Sequence, residues 1–587
     1  MTRNNGKKTG LSRREFLALS SGALAGSMIG PPQAAFGNYH HQPVGEPRYG
    51  GHVKVGDRGF QPGLDPHRFG SWGGYLMLQG THQGLIEMGD SVSHHPCLAT
   101  HWDVSDDVKE WTFYLRRGVK FNTGQEMTSD DVKFSLERAA QPLIGGWNVH
   151  RYRSLDKIEA VDKYTLKITW KEPFTPTLDT LRMYSGAIIP KDSAPFDKAM
   201  VGGESTPGTG PFYVSEYKGD EIIKIKRNEY YWEKDEQGRP LPYLDEVSIY
   251  SMRDDTVRTA ALRNDEIQYT LEIAAKDVER FKAQPPGSPK FSDPEGILNK
   301  DLGLVIANPL NRSNWCHGYT FNLRKPPFDN LKVRQAVCYA IDKQGLVDGA
   351  LWGVSGYPIF GTYPDGHPWG HRPPGEDPYA KGNPEKAKQL LTEAGHPNGF
   401  RTSIPLTQGS WSTVNDPPMI AKEMLRKVGI EIDVDMLEGA ITTTRINDRA
   451  FTYINWGLSW SGSGDPDDVY FRMFHSSNDA STNRAGYKNP VFDRLVEESR
   501  RTLDKNKRMA LFRRMAKMIF IDDLPGTNFF HYASTWAWTK DLKHFWHTYN
   551  TSQFFVFRSG MSYGWLDRPK ETRSMAEEMD RRKKLNL

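Results

Sequence analysis

The residues of this 587-residue chain that can do chemistry fall in a few short segments. Gly457-Leu458-Ser459-Trp460-Ser461 begins like the sharp turn that exposes a nucleophilic serine, but it lacks the closing glycine that turn needs. His94-His95-Pro96-Cys97-Leu98-Ala99-Thr100-His101 gathers metal-ligating residue types. Pro96 and the mixed spacing fit neither a zinc finger nor a two-histidine helical site, so surface histidines ahead of a strand are the better reading and no metal is assigned. Asp465 and Asp467 flank Pro466 and suit either a glycosidase-like carboxylate pair or a turn with a helix cap. There is no H-E-x-x-H, no P-loop and no G-x-G-x-x-G after a strand. No catalytic residue is assigned, and no cofactor is implied.

The elements that must position any site change character along the chain. His52-Val53-Lys54-Val55, Trp111 to Leu115, Tyr164 to Trp170 and Ile222 to Lys226 alternate as strands do. Thr128 caps a helix whose first turn carries Asp130 and Asp131. In the second half, Val333, Ala336, Val337, Ala340 and Ile341 recur at helical spacing, predicting one helix that runs on toward Leu351 and stops at Gly353. Asn383-Pro384 opens a helix closed by Gly395, and Met419 to Lys427 forms another, ended by Gly429 and followed by the strand Ile430 to Asp435. Helix followed by strand, repeated, signals an α/β lobe. Pro285 to Pro294 and Tyr357 to Pro384 hold too many breakers for regular structure, and the charged end, 568–587, reads as a loosely held helix or a tail.

Composition bounds the class. Sixteen Trp, 25 Tyr and 28 Phe exclude a mostly disordered chain. A mean hydropathy of -0.64 with no apolar run of membrane-spanning length excludes a polytopic membrane protein. Residues 1–37 have the order of an export signal: Arg3, Lys7, Lys8, Arg13 and Arg14, then a weakly apolar stretch from Phe16 to Ile29, then Pro31, Pro32, Ala34 and Ala35. Ser12-Arg13-Arg14-Glu15-Phe16-Leu17 resembles the twin-arginine motif, which implies the twin-arginine translocase as the export partner and cleavage after Ala35 or Gly37. The first cysteine is Cys97, so no lipid-anchor cysteine follows the apolar stretch, and a soluble periplasmic protein is expected. The signal holds five of the 76 Lys and Arg and one of the 72 Asp and Glu, so the mature chain balances to zero and no nucleic acid or other polyanion is implied as partner. Cys97, Cys316 and Cys338 allow at most one disulfide.

Many short segments in a fixed order resemble the family 5 extracellular solute-binding proteins of ABC importers. They are Leu64-Asp65-Pro66-His67, Leu98-Ala99-Thr100-His101-Trp102, Trp111 through Phe121, Ser129 through Ser135, Gly208-Thr209-Gly210-Pro211-Phe212, and Arg227-Asn228-Glu229-Tyr230-Tyr231-Trp232. The second half adds Pro327-Phe328-Asp329-Asn330, Val333-Arg334-Gln335-Ala336, Ala340-Ile341-Asp342, Asp465-Pro466-Asp467 and Asn489-Pro490-Val491-Phe492-Asp493.

The resemblance implies an α/β two-lobe periplasmic-binding-protein fold, type II and cluster C-like, with an additional inserted domain. Its parts would be a first lobe from 38–84, 187–317 and 530–567, an inserted domain at 85–186, a second lobe at 318–529 and a tail at 568–587. It further implies a monomer that captures a peptide-like solute between its lobes and hands it to the permease subunits. An oligosaccharide or amino-acid conjugate is the rival ligand. An exported glycoside hydrolase and a docking or chaperone-like module are rival classes.

In peptide-binding relatives an aspartate just before the Asp-Pro motif takes the peptide's α-amino group; here that position falls on Ser461 or Gly462, neither acidic. Asp465 or Asp467 would have to take over that role. The segments that line the cleft in relatives contain Trp72, Trp147, Trp411, Trp456 and Trp460, whose indole faces suit stacking on a ring or planar cation. Arg445, on the helix before the Trp456 segment, is the candidate for pairing a ligand carboxylate.

Overall fold

In the computed structural model, the described residues are 45–59, 63–68, 72–88, 94–145, 149–200, 202–270, 273, 277, 297–299, 303–307, 315–353, 356–363, 369–370, 372–408, 412–455, 465–479, 482–532, 535–544 and 560–585. Among the described residues, the largest sheets each carry an apolar core. Strands that alternate in sequence bury one face each, and the sheets assemble from parts of the chain that are far apart.

The first sheet has eight strands, in the order Ile297–Asn299, Leu304–Ala307, Trp536–Thr539, Tyr269–Thr270, His52–Asp57, Glu246–Ser251, Ile222–Arg227, Phe212–Lys218. His52–Asp57 runs parallel to both of its neighbours. Its buried Val53 and Val55 pack with Ile223, Ile225, Val247 and Ile249. An antiparallel four-stranded sheet, Ala99–Val104, Glu110–Leu115, Thr165–Trp170 and Leu155–Asp162, is covered by the helix Ser129–Ala139. Thr128 caps that helix in a reciprocal capping box with Asp131. The third group joins Gly356–Pro358, Gly526–Tyr532, Trp315–Phe321 and Tyr453–Asn455, beside the parallel pair Phe400–Thr407 and Ile430–Leu437.

Two stretches of chain take part in both the first and the third sheet. Ala307 pairs with Trp536 in the first sheet, and a few residues on Trp315 pairs with Tyr532 in the third. These paired crossings are the only route of this kind among the described residues. The register between them shifts at His317 and Gly318, where a Cβ on Gly318 would lie 1.8 Å from the Thr527 carbonyl oxygen, so only glycine allows the two strands to approach.

The motif Leu64-Asp65-Pro66-His67 joins the first sheet's lobe to the helix-covered sheet. Asp65 accepts from both Arg138 amino groups, at 2.9 and 2.6 Å, and from the Met200 amide at 2.9 Å. His67 Nε2 donates to the Ala187 carbonyl at 2.8 Å, and Arg138 Nη1 lies 2.8 Å from its Nδ1, which fixes the neutral tautomer. Phe134, Ile189, Ala194 and Met200 close the same junction with apolar contact.

Several expectations change. The helix expected from Val333 to Leu351 is two helices, Leu331–Ala340 and Lys343–Leu351. Ile341 is extended, and the Asp342 carboxylate accepts from the Gln344 amide, restarting the helix as an N-cap does. The helix expected to begin at Met419 begins at Ser412, carrying Pro417 and Pro418 within it. Both prolines lie past the first turn, where each gives up one i→i−4 hydrogen bond, so the breakers sit inside the helix and do not mark its start. The breaker-rich run after Tyr357 contributes the short strand Gly356–Pro358. The charged end forms the helix Met575–Lys584, and it is firmly held: Glu578 is buried and pairs with Arg227, Arg573 and Arg581. Cys97, Cys316 and Cys338 are buried and unbridged. Residues 1–44 and the run Pro285 to Pro294 lie outside the described residues.

Candidate functional site

In an open α/β sheet the ligand crevice lies off the carboxyl ends of parallel strands, where successive connections leave in opposite directions. In the first sheet that point is the end of His52–Asp57. Its connection leads to the helix Trp72–Thr81, which packs on the strands at 212–251, whereas Glu246–Ser251 connects through the helix Asp255–Arg263 to Tyr269–Thr270 on the other side. In the second lobe, Phe400–Thr407 and Tyr453–Asn455 end immediately before the segments carrying Trp411 and Trp456 to Ser461.

Asp57 and Arg58 sit at the switch point. The Arg58 amide donates to Asp57 Oδ1 at 2.6 Å, and Asp57 Oδ2 is buried with no hydrogen-bond partner among the described residues. Burial pushes the Asp57 carboxyl up to about 6, against the nearby Arg58 and Arg258. Burial lowers Arg58 to about 10, with Tyr532 of the crossing strand acting in the opposite sense. Sequence reasoning missed this pair, because two charged residues ending a strand carry no distinctive spacing.

The residues nominated from sequence are distributed as follows. Trp147, Trp411, Trp456, Trp460 and Ser461 lie outside the described residues. Trp72 opens the helix Trp72–Thr81. Arg445 stands in the last turn of the helix Gly439–Asn447 and pairs with Asp435 at 2.9 Å in a half-exposed ion pair.

Asp465 and Asp467 are both engaged within the protein. Asp465 is buried and accepts from Arg508 Nη1 and Nη2 at 2.8 and 2.9 Å, while its Oδ1 also takes the Asp467 amide. Asp467, in the first turn of the helix Asp467–Phe474, takes Arg500 Nε and Nη2 at 2.8 and 3.0 Å. These contacts make the Asp-Pro-Asp segment an ion-paired turn at the start of the helix Asp467–Phe474.

The same helix meets the antiparallel-sheet domain through charge. Asp468 lies 2.6 Å from Arg151 Nη2 and 3.2 Å from His150 Nε2, with Arg472 at 3.5 Å from its own helix. Burial would raise the Asp468 carboxyl, but Arg151, Arg472 and His150 outweigh it and hold the group well below the usual range. Burial lowers His150 to about 4, so it is neutral at pH 7. Nearby, Asp179 pairs with Arg182 at 2.6 Å and His94 at 3.2 Å, and it is close enough to Arg508 to feel its charge.

This arrangement, two α/β lobes joined by paired crossings with a further domain beside them, is that of a type II two-lobe binding protein. The sequence model for bacterial extracellular solute-binding proteins, family 5, matches residues 94–481, and the chain belongs to that family. The chain is 32% identical over 479 residues to heme-binding protein A of Haemophilus influenzae, covering 76% of this chain and 81% of that protein. It is 28% identical to glutathione-binding protein GsiB of Pectobacterium atrosepticum, covering 78% and 84% of the two chains. The solved structure of AgaA from A. tumefaciens R10, in complex with agropinic acid, superposes with a TM-score of 0.71 at 25% identity, covering 89% of this chain and 100% of the other.

Proposed function

We propose that this chain is the periplasmic substrate-binding component of an ABC importer, which captures a peptide-like solute between its lobes and delivers it unchanged to the permease. The observation that carries the reading is the pair of crossing strands shared by two sheets, because a hinge between two jaws lets a ligand stabilise closure by touching both walls. The relatives fit it: one is named for glutathione, itself a tripeptide. We assign the ligand-facing surface to Trp72, Trp147, Trp411, Trp456, Trp460 and Ser461, with Asp57 and Arg58 at the floor of the first lobe. Asp465 and Asp467, paired with Arg508 and Arg500, fix the chain just after the Trp456 to Ser461 segment.

The domain division given above from the family resemblance is supported by the way the sheets draw their strands. Export through the twin-arginine translocase, with removal of residues 1–37, rests on the sequence of that segment, and the protein is proposed to act as a monomer. An oligosaccharide or amino-acid conjugate is the second reading, favoured by Ser461 and Gly462 where peptide binders carry an acid. A glycoside hydrolase is disfavoured because Asp465 and Asp467 are both committed to arginines.

Native mass spectrometry of protein purified from its own cells tests the reading. A retained, non-covalent small organic mass is expected. A bare protein mass, or turnover of an added oligosaccharide, contradicts it.

A further inference from the structure

The antiparallel-sheet domain, 94–182, touches two neighbours in two different ways. Toward the first lobe its junction is the buried bidentate Asp65–Arg138 pair sealed by Phe134, Ile189, Ala194 and Met200. Toward the second lobe the contact is mainly polar, with a buried ion pair at its centre. Asp468 takes Arg151 and His150, and Arg501 reaches Glu172 at 3.0 Å. The Arg153 guanidinium donates to the Asn478 side chain at 2.6 Å, and the Thr175 amide donates to the Arg500 carbonyl at 3.1 Å. The Arg500 guanidinium lies 5.2 Å from the ring of Phe174 and 3.5 Å from that of Phe471, and Leu503 adds an apolar contact to the insert's core.

The two kinds of junction differ in what separation costs. An apolar seam leaves exposed hydrocarbon when it parts, whereas charged groups regain their hydration, so an ionic seam suits a contact that opens and shuts. The two domains also keep separate apolar cores, one around Trp111, Phe113 and Trp170 and the other around Tyr470, Phe492 and Phe512. The insert and the first lobe therefore form one jaw, and the second lobe closes on both.

We propose that Asp468 is a positioning residue for capture: its carboxylate clamps Arg151 and His150 of the inserted domain onto the second lobe when the cleft shuts, so that closure depends on the insert as well as on the ligand. The proposal rests on the capture reading above and deepens it. Asp468 acts through the closed geometry, without being part of the ligand-facing surface assigned here.

The test is a spin-label distance measurement on the full mature protein with its co-purified solute, using Val161→Cys in the insert and Val491→Cys in the second lobe, both exposed. The wild-type background should show a short-distance population. Asp468→Asn should lower the ratio of short to long populations by at least about fivefold, the scale of a typical coupling between two states. Asp468→Glu should restore part of it. Arg151→Gln, which alters the insert alone, should reproduce the loss while leaving the circular dichroism spectrum unchanged. A wild-type protein without the short population, or an Asp468→Asn protein that keeps it, overturns the clamp. Neither result bears on whether native mass spectrometry finds a bound solute, so the clamp and the capture reading fail separately.

Discussion

Asp465 and Arg508 form a buried bidentate pair, with both carboxylate oxygens within 2.9 Å of the two guanidinium amino nitrogens. The pair ties the start of the Asp465-Pro466-Asp467 turn to the helix Lys505–Lys517. Both oxygens of the Asp465 carboxylate are thereby engaged within the protein.

Breaking this pair from one side leaves a buried charge uncompensated. Arg508→Met should lower the unfolding free energy by about 3–5 kcal/mol, and the Asp465→Asn/Arg508→Met double variant should recover a large part of that loss. Urea denaturation measures both. Equal losses in the single and double variants would show that the two residues do not act as a pair.

Trp460→Ala should weaken solute binding by about 2 kcal/mol, the value of a desolvated aromatic contact at a binding hot spot. Calorimetric titration with the solute recovered from the native protein reads it directly. An unchanged Kd removes Trp460 from the ligand-facing surface.

Acid should destabilise the protein in a defined window. Burial lowers His67 and His150 to about 4 and His82 and His317 to about 3, below the ordinary value of about 6.5 they regain on unfolding. Groups depressed in the folded state bind more protons when unfolded, so stability is fully present above about pH 6.5 and is lost as the pH falls toward about 4. The loss is on the order of 1–2 kcal/mol per buried histidine by pH 5. Thermal melts between pH 8 and pH 5 in a constant-ionic-strength buffer should show a falling Tm, and His67→Gln should flatten the slope. A Tm independent of pH across that range contradicts the assignment.

Gly318→Ala should destabilise the crossing strands, because its Cβ would press on the Thr527 carbonyl oxygen. Overpacking of this kind costs about 1–3 kcal/mol. Hydrogen exchange should rise in Trp315–Phe321 and Gly526–Tyr532 before it rises elsewhere. Uniformly raised exchange would mean that the strain is not local to the crossings.

Local chemistry made much of the fold legible. Alternation marks His52–Asp57, Glu110–Leu115, Thr165–Trp170 and Ile222–Arg227, and caps mark Thr128, Asn383 and the left-handed glycines at 395 and 429. The break at Ile341-Asp342 was hidden because apolar spacing continues across it, while the N-cap that makes it is a single aspartate. The partners of Asp465, Asp467 and Asp468 were also hidden. Arg508, Arg500 and Arg151 come from other helices and another domain, and ion pairs between distant segments leave no spacing for a sequence to display. The same holds for Asp57 and Arg58, whose place at the switch point follows from strand order alone.

Hinged jaws that shut around a small solute and release it intact should change the shape of the protein, but not the solute, when the two meet. Small-angle scattering tests it most directly, on mature protein stripped of its solute by reversible unfolding and then resupplied with the recovered solute. A smaller radius of gyration is expected on resupply, with a solute of unchanged mass afterwards. Superimposable curves, or a recovered molecule of altered mass, would contradict it.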